Sequence, residues 1–295
     1  GISTSSFGVS KRESHDSSDF YSRFAPPQIS DDDTLGAHGK LDAIYVGDAR
    51  TMTKVPDGSV ALVVTSPPYF AGKEYETALG EGHVPADYIE YLTMLRDVLG
   101  ECVRTLEPGG RIAVNVANLG RKPYRSLSSD IIRILENLGL LLRGEIIWQK
   151  GKTSSSSCAW GSFKSPANPV LRDTTERVII ASKGRFDRVG RRSAAAGEPG
   201  GATIPGDEFM EATLDVWEIP AESATRVGHP APFPVALVER CIQLFTYDGD
   251  VVLDPFMGSG TTAVAAVNTG RRYVGYDTDL EYVRRARERV SSMVP

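Results

Sequence analysis

The chain has 295 residues, of which 41% are hydrophobic and 24% charged, a composition that argues against a wholly disordered or fibrous protein. This length accommodates one elaborated domain or two modest ones. The formal net charge of -5 means that a nucleic-acid partner would need a locally basic face on the protein.

Hydropathy and cysteine usage exclude further classes of protein. No apolar run approaches the roughly 18 residues needed to cross a bilayer, and the N-terminus lacks the apolar stretch of a secretory signal. We therefore expect a cytoplasmic protein without a membrane partner. Cys102, Cys158 and Cys241 are far apart and form no metal-binding pattern, so we predict free thiols and no metal.

The predicted elements alternate between strands and helices after an irregular start. Residues 1–40 are rich in serine and aspartate and are predicted to form a flexible arm. From residue 41 onward, the pattern predicts an α/β fold with a mostly parallel sheet and helices on both faces. The predicted strands are 41–48, 59–66, 111–117, 140–148, 175–182, 250–256 and 271–277. The predicted helices are one from Tyr88 to Leu106 and four at 127–138, 233–246, 261–269 and 279–293.

Two long segments interrupt this alternation. Residues 151–172 and 184–213 are rich in small residues and poor in periodic apolar ones, which is typical of functional loops. A basic run marks the start of the second segment, and such a run is either a solvated surface or a phosphate-binding one. Its cationic residues are Lys183, Arg185, Arg188, Arg191 and Arg192.

The segment LDPFMGSGTT, residues 253–262, predicts a strand that ends at Asp254 and a glycine-rich turn that leads into a helix. Gly258 and Gly260 would let the backbone turn sharply and approach a ligand. Helix capping and hydrogen-bond donation are predicted for Ser259, Thr261 and Thr262. No lysine follows the last glycine, which argues against a phosphate-binding loop. The next strand ends at Asp277, where such folds place a carboxylate for ribose, so a nucleoside cofactor is predicted.

The segment VVTSPPYF, residues 63–70, predicts a strand that ends in a stiff loop. Pro67 and Pro68 restrict the backbone and lack N–H donors, so the loop presents carbonyl oxygens beside the Ser66 hydroxyl and the Tyr69 ring. These groups can accept hydrogen bonds from an amine and stack on a flat ring. The pattern favours an aromatic amine as substrate, although a plain proline turn is the alternative.

Together, TSPPY at 65–69 and DPFMGSGTT at 254–262 resemble the S-adenosylmethionine-dependent DNA amino-methyltransferases. The SPPY motif precedes the cofactor motif, an order similar to that of the beta class, whose Rossmann-like methyltransferase fold is circularly permuted. Further similar segments are GDAR at 47–50, LEPGGRIAV at 106–114, EIIWQK at 145–150, TERVIIASKG at 175–184 and HPAPFP at 229–234. The resemblance spans residues 41–290.

The resemblance implies S-adenosyl-L-methionine as cofactor and no metal. It implies a base-holding catalytic motif made of Ser66, Pro67, Pro68 and Tyr69. The implied cofactor-binding residues are Asp48, His229, Pro230, Phe233, Asp254, Pro255, Phe256, Gly258, Ser259, Gly260, Thr261, Thr262 and Asp277. For Asp48, a helix N-cap is the alternative to a position near the adenine.

The resemblance also implies a division of the chain and a substrate. Residues 41–183 would be the catalytic half, 184–227 a target-recognition region and 228–295 the cofactor-binding half. The basic run would then contact double-stranded DNA. Ser66 favours transfer to the N4 amine of a flipped-out cytosine over the N6 amine of adenine.

Two alternatives and several partners are left open by the sequence. One alternative is a non-catalytic DNA-binding regulator that keeps the methyltransferase fold, and the other is an enzyme that modifies RNA or a small-molecule amine. A homodimer and a cognate restriction endonuclease are compatible with the resemblance but leave no trace in the chain. A nucleoid-associated protein of a prokaryotic cytoplasm is expected.

Overall fold

The computed structural model describes residues 28–70, 86–119, 124–151, 161–189, 200–221 and 233–293. Within these ranges, no helix is both long enough and apolar enough to cross a membrane. Cys102 and Cys241 are buried free thiols, as predicted, and Cys158 lies outside the described residues.

Eight strands and six helices make up the described parts of the chain. The strands are β1 (Ala43–Val46), β2 (Val60–Thr65), β3 (Leu106–Val116), β4 (Leu140–Gln149), β5 (Thr175–Lys183), β6 (Val216–Glu218), β7 (Val251–Asp254) and β8 (Arg272–Asp277). The helices are α1 (Ala86–Thr105), α2 (Leu127–Asn137), α3 (Gly206–Ala212), α4 (Val235–Phe245), α5 (Thr261–Asn268) and α6 (Leu280–Ser291).

The strands form one sheet in the order β1-β8-β7-β2-β3-β5-β4-β6. All neighbouring pairs are parallel except those that involve β5, which is antiparallel to both β3 and β4. The predicted Rossmann-like α/β fold is therefore confirmed. We call the edge where the parallel strands end the carboxyl edge and the opposite one the amino edge. Because β5 runs in reverse, it begins at the carboxyl edge and ends at the amino edge.

Two hydrophobic layers cover the two faces of the sheet. Strand β2 is fully buried and alternates between them: Val63 packs in one layer, and Leu62 and Val64 pack in the other. The first layer includes buried residues of α1 and α2, and the second includes those of α4, α5 and α6. Each fully buried aliphatic side chain contributes roughly 1.5–3 kcal/mol. The layers thus hold the central strands, and their ends, in place.

The structure differs from the prediction where α1 meets β3. The strand begins at Leu106, directly after the helix, and not at Arg111. Its pairing with β2 shifts register in this stretch, and Gly109 has a φ of 76°. A Cβ at Gly109 would lie 2.0 Å from the carbonyl oxygen of Asp187. The glycine therefore lets this irregular start of the strand pass close to the loop that follows β5.

Two short elements were not predicted. Helix α3 and strand β6 lie in and just beyond the segment 184–213, which was predicted to be a loop. The helix has seven residues and the strand three, so neither carries enough periodicity to be recognised. Strand β6 nevertheless extends the sheet, because it pairs in parallel with the end of β4.

Part of the predicted N-terminal arm contacts the amino edge. The Ser30 N–H donates to the Gly184 carbonyl at 2.6 Å, and the Gly36 N–H donates to the Gly58 carbonyl at 2.8 Å. The His38 Nδ1 atom lies 3.1 Å from the Ser59 carbonyl oxygen. Residues 28–40 are thus bound to the body of the protein, and residues 1–27 lie outside the described residues.

Candidate active site at the carboxyl edge

The two sequence motifs lie side by side in the centre of the sheet. Strand β2 pairs with β7 through Leu62 with Val252 and Val63 with Leu253, so both strands end at the same place. At that end, the Thr65 Oγ1 atom donates to Asp254 Oδ1 at 2.7 Å, across 189 residues of chain. The structure thus brings together the two motifs on which the resemblance depends.

Asp254 is the link between these motifs. Its Oδ1 atom also accepts from the Phe256 N–H at 3.0 Å, and its Oδ2 atom accepts from Thr262 Oγ1 at 2.6 Å. The residue is only 1% exposed, and burial raises the pKa of its carboxyl group to about 6, against the lowering effect of the hydrogen bonds. Because the carboxylate is buried and both of its oxygens are bonded to protein groups, Asp254 holds the shape of the turn from inside the protein.

The glycine-rich turn is held by strand β8. The Met257 N–H donates to the Tyr276 carbonyl at 2.8 Å, and the Gly258 N–H donates to Asp277 Oδ2 at 2.8 Å. Gly258 and Gly260 have φ values of 50° and 85°, which are backbone conformations that favour glycine. The turn therefore requires glycine at both of these positions.

The hydroxyl groups of the turn have one of their two predicted roles, since Thr262 donates a hydrogen bond but none of them caps α5. Gly260 is the N-cap of α5 and receives no side-chain cap, so the predicted capping by Ser259, Thr261 and Thr262 is wrong. The Thr262 hydroxyl bonds to Asp254 instead. On the other side, Arg289 NH1 of α6 lies 3.3 Å from Thr261 Oγ1 and 3.4 Å from the Ser259 carbonyl oxygen. Ser259 and Thr261 are both buried, because helix α6 packs over this part of the turn.

Two carboxylates lie at the ends of the neighbouring strands β1 and β8. Val46 pairs with Asp277, and the Gly47 N–H donates to the Asp277 carbonyl at 2.9 Å, which places Asp48 next to this strand end. Asp48 begins a turn and not a helix, so it is not a helix N-cap. Hydrogen bonds from the Arg50 side chain and backbone lower the pKa of the Asp48 carboxyl group. A pair of carboxylates beside a glycine turn suits a ligand with several hydroxyl groups.

The SPPY loop is supported by helix α1. The Tyr91 hydroxyl donates to the Pro68 carbonyl at 2.9 Å, and the rings of Tyr91 and Phe70 are 5.2 Å apart. Because Tyr91 occupies the Pro68 carbonyl, Pro67 remains the motif carbonyl predicted to accept from an amine. The Tyr69 ring is 36% exposed, and its hydroxyl donates to Glu176 Oε1 at 2.9 Å.

A buried carboxylate, that of Glu176, connects this loop to two further polar residues. Its Oε1 atom also forms an ion pair with Lys150, and its Oε2 atom accepts from Asn115 Nδ2 at 2.6 Å. The same Asn115 nitrogen lies 3.5 Å from the Ser66 hydroxyl oxygen. Sequence reasoning assigned no role to these three residues. A signal was present for Asn115, which is the one polar residue in the apolar run of residues 112–116.

Most of the described basic run lies away from this site. Strand β5 ends at the amino edge, where Lys183 Nζ donates to the Leu106 carbonyl at 2.6 Å and to the Arg104 carbonyl at 3.3 Å. Burial lowers the pKa of the Lys183 amino group. Arg185 contacts the Asp187 carboxylate.

The position of Arg188 also differs from the prediction. Its guanidinium is paired with Glu107 and Asp250, and its side chain is 7% exposed. The predicted DNA contacts of Lys183 and Arg188 are therefore corrected, because their charged groups bind protein acceptors at the amino edge. Phe233 is buried in the layer that contains α4. The predicted site residues that lie outside the described ones are Arg191, Arg192, His229 and Pro230.

No group of three or more potential metal ligands occurs among the residues that the structure describes. The site at the carboxyl edge consists of a turn with two carboxylates beside a loop with a hydroxyl, a carbonyl and an aromatic ring. Such an arrangement can hold a nucleoside next to an aromatic amine.

Comparison with known proteins identifies the family. The model of a DNA methylase family, that of the N6 and N4 methyltransferases, matches residues 60–288. The Type II methyltransferase M.BglII of Bacillus subtilis is 30% identical over 255 residues, which cover 82% of this chain and 67% of its own length.

Solved structures are similar over most of the chain. TTHA0409 of Thermus thermophilus, whose structure was solved with S-adenosyl-L-methionine, has a TM-score of 0.68 at 31% identity and matches 88% of this chain and 95% of its own. The PvuII DNA methyltransferase, described as cytosine-N4-specific, has a TM-score of 0.63 over 87% of this chain and 92% of its own. Its 20% identity shows the shared fold alone. The protein belongs to the family of N6/N4 DNA methylases, which are S-adenosylmethionine-dependent amino-methyltransferases.

Proposed function

We propose that this protein transfers a methyl group from S-adenosyl-L-methionine to the N4 amine of a cytosine in double-stranded DNA. The observation that carries the proposal is the Ser66 hydroxyl at the carboxyl edge, in the same loop as the exposed Tyr69 and directly after Thr65, which bonds to Asp254. A serine at this position is associated with cytosine in the family that the sequence resembles. The family itself includes enzymes for both bases, so the choice of base rests on Ser66.

The residues at the carboxyl edge fit the cofactor. Asp48 and Asp277 place two carboxylates beside the glycine turn, where ribose hydroxyls would donate to them. Phe256 is partly exposed, whereas most of its motif is buried. The buried Asp254 carboxylate holds the shape of the turn through its hydrogen bonds to Phe256 and Thr262. When bound, S-adenosyl-L-methionine supplies a methyl group that is activated by its positively charged sulfur.

The SPPY loop would prepare the amine. The lone pair of the exocyclic nitrogen is delocalised into the base, and hydrogen bonds to the Ser66 hydroxyl and the Pro67 carbonyl would favour a pyramidal, more nucleophilic nitrogen. The same acceptors stabilise the positive charge that develops on this nitrogen. The Tyr69 ring offers a stacking surface for a base turned out of the duplex. Positioning is therefore the main task of the protein.

The direction of the strands changes the expected DNA-binding surface. Strand β4 ends at Gln149 and β6 at Glu218, so the segments after them leave from the carboxyl edge. The segment after Lys183 leaves from the amino edge instead. We therefore assign target recognition to residues 150–174 and to the part of 184–227 that follows β6. Arg191 and Arg192 remain predicted phosphate contacts.

One experiment tests the proposal. Purified protein is incubated with unmethylated bacterial genomic DNA and S-adenosyl-L-methionine, the DNA is digested to nucleosides, and the products are identified by mass spectrometry. We expect N4-methylcytosine with the wild-type protein. With Tyr69→Ala we expect at least about a hundredfold less of this product, which is on the order of the cost of losing such contacts. N6-methyladenine would overturn the choice of base. Cofactor binding without any methylated base would favour the non-catalytic DNA-binding protein.

A further inference from the structure

We propose that Glu176 is a positioning residue that holds Tyr69 and, through Asn115, Ser66 in the geometry needed for methyl transfer, with Lys150 as its counter-ion. The proposal deepens the proposed function but requires only transfer to a DNA amine, whichever base carries it. It stands on a chain of contacts among described residues that crosses four strands.

The contacts follow the sheet from its centre towards β4. Thr65 pairs with Val114, so Ser66 lies next to Asn115 at the ends of β2 and β3. Because β5 is antiparallel, its first residues lie at this same edge, and Glu176 comes beside Asn115. On the far side Glu176 pairs with Trp148, and Lys150 follows two residues later. The row Ser66, Asn115, Glu176, Lys150 is thus continuous across β2, β3, β5 and β4.

The burial of Glu176 sets it apart from a surface ion pair. Its side chain is 2% exposed, and that of Lys150 is 29% exposed. Burying a carboxylate costs several kcal/mol unless charges and hydrogen bonds compensate it. Here one oxygen is bound by Tyr69 and Lys150 and the other by Asn115, and the Lys150 amino group also lies 5.3 Å from the Trp148 ring centre.

These contacts define what Glu176 does for each motif residue. The Tyr69 hydroxyl can only donate to a carboxylate, so the bond fixes both the tilt of the ring and its distance from the sheet. Burial, and next the charge of Glu176, raise the pKa of Tyr69. The Asn115 amide is fixed by the Glu176 bond and directs its nitrogen at the Ser66 oxygen. The Ser66 proton is then directed away from Asn115.

The test compares two buried glutamates at opposite edges of the sheet. Glu176→Gln keeps the shape of the side chain but removes the charge that binds Tyr69 and Lys150. We expect its single-turnover rate of methyl transfer to unmethylated genomic DNA to fall by about 10- to 100-fold, with the Kd for S-adenosyl-L-methionine within about twofold of wild type. The matched control is Glu107→Gln, which breaks a buried ion pair at the amino edge and should transfer at close to the wild-type rate per folded molecule.

A double-mutant cycle shows whether Glu176 acts through Tyr69. If it does, Glu176→Gln in a Tyr69→Phe background should lower the rate much less than it does in the wild type. Additive effects, an unchanged rate for Glu176→Gln, or an equal loss in Glu107→Gln would overturn the proposal. Lys150→Met combined with Glu176→Gln removes the pair without leaving a buried charge, and it should remain slow although it folds.

The same cycle, measured by urea unfolding, separates this inference from the proposed function. We expect Glu176→Gln and Tyr69→Phe to be coupled by at least about fivefold in the folding equilibrium constant. If the wild-type protein transferred no methyl group to DNA, the proposed function would fail. The coupling in urea unfolding would then still show whether Glu176 and Tyr69 interact in the folded protein. Independent effects on unfolding would then reject the inference as well.

Discussion

At the scale of single residues, the carboxylate of Asp254 has an unusual environment. It is buried at the junction of two motifs and receives three hydrogen bonds, two of them from threonine hydroxyls. The bonds satisfy its oxygens but supply no counter-ion. Burial consequently outweighs them, and the pKa rises from an ordinary value of 3.8 to about 6.

This environment predicts a pH dependence of stability. The folded state holds the Asp254 proton more tightly than the unfolded state, so the free energy of unfolding falls as pH rises from about 4 to about 7. The loss amounts to at most roughly 3 kcal/mol for a pKa difference of this size. The Asp254→Asn variant has no carboxyl group at this position, so its free energy of unfolding lacks this pH-dependent contribution. Urea unfolding of both proteins between pH 4 and 8 measures it, and a difference between them that is constant over this range would contradict the pKa assignment.

At the scale of elements, the turn between β7 and α5 depends on close packing as well as on hydrogen bonds. Gly260 has a φ of 85°, and a Cβ there would lie 2.9 Å from the Cβ of Ala286 on α6. The glycine therefore serves two purposes. It permits the left-handed backbone at the N-cap of α5, and it lets α6 approach the turn.

These two contributions can be separated with a second glycine. Gly139 has a φ of 80°, but no atom lies within 4 Å of a Cβ built there. We expect Gly139→Ala to cost about 1–2 kcal/mol for the left-handed conformation alone, and Gly260→Ala to cost at least about 1 kcal/mol more because of the contact with Ala286. Urea unfolding measures both values. Equal losses would show that α6 can shift without cost.

At the scale of the whole molecule, the two edges of the sheet have different tasks. The carboxyl edge carries the motifs, whereas the amino edge carries Arg188 between Glu107 and Asp250 and the hydrogen bonds of the N-terminal segment. Burial opposes the charge of Arg188, but the two carboxylates outweigh this effect and raise the pKa of its guanidinium. This cluster joins the loop after β5 to the starts of β3 and β7.

We therefore expect Arg188→Met to affect stability and not DNA binding. The change removes the guanidinium that bonds to both buried carboxylates, which should cost about 3–5 kcal/mol in the free energy of unfolding. Arg185→Met is the control, since its partner Asp187 is exposed and its loss should cost less than about 1 kcal/mol. Titrations of DNA at several salt concentrations give the second readout. A salt dependence that becomes shallower by about one charge in Arg188→Met, with unchanged stability, would restore it as a phosphate contact.

Much of the fold could be predicted because its strands are strongly apolar. All predicted strands are present, and β3 differs mainly at its start, where the irregular turn at Gly109 hides the first residues. The three-residue strand β6 could not be predicted from periodicity. The motif residues of the site could be recognised in the sequence. The sequence did not show which of their atoms are free of hydrogen bonds to other protein groups. The hydroxyl of Thr262, for example, is taken up by Asp254, a contact that depends on how β7 and α5 pack.

The sequence by itself determined the strand ends at which Ser66, Asp254 and Asp277 lie, because an apolar run that stops at polar residues marks the edge of a buried sheet. Only the tertiary structure decided the direction of β5. That direction depends on pairing with β3 and β4, whose partners are distant in sequence and leave no local pattern. As a result Glu176 joins the site at the carboxyl edge, and the basic run that follows β5 begins at the opposite one.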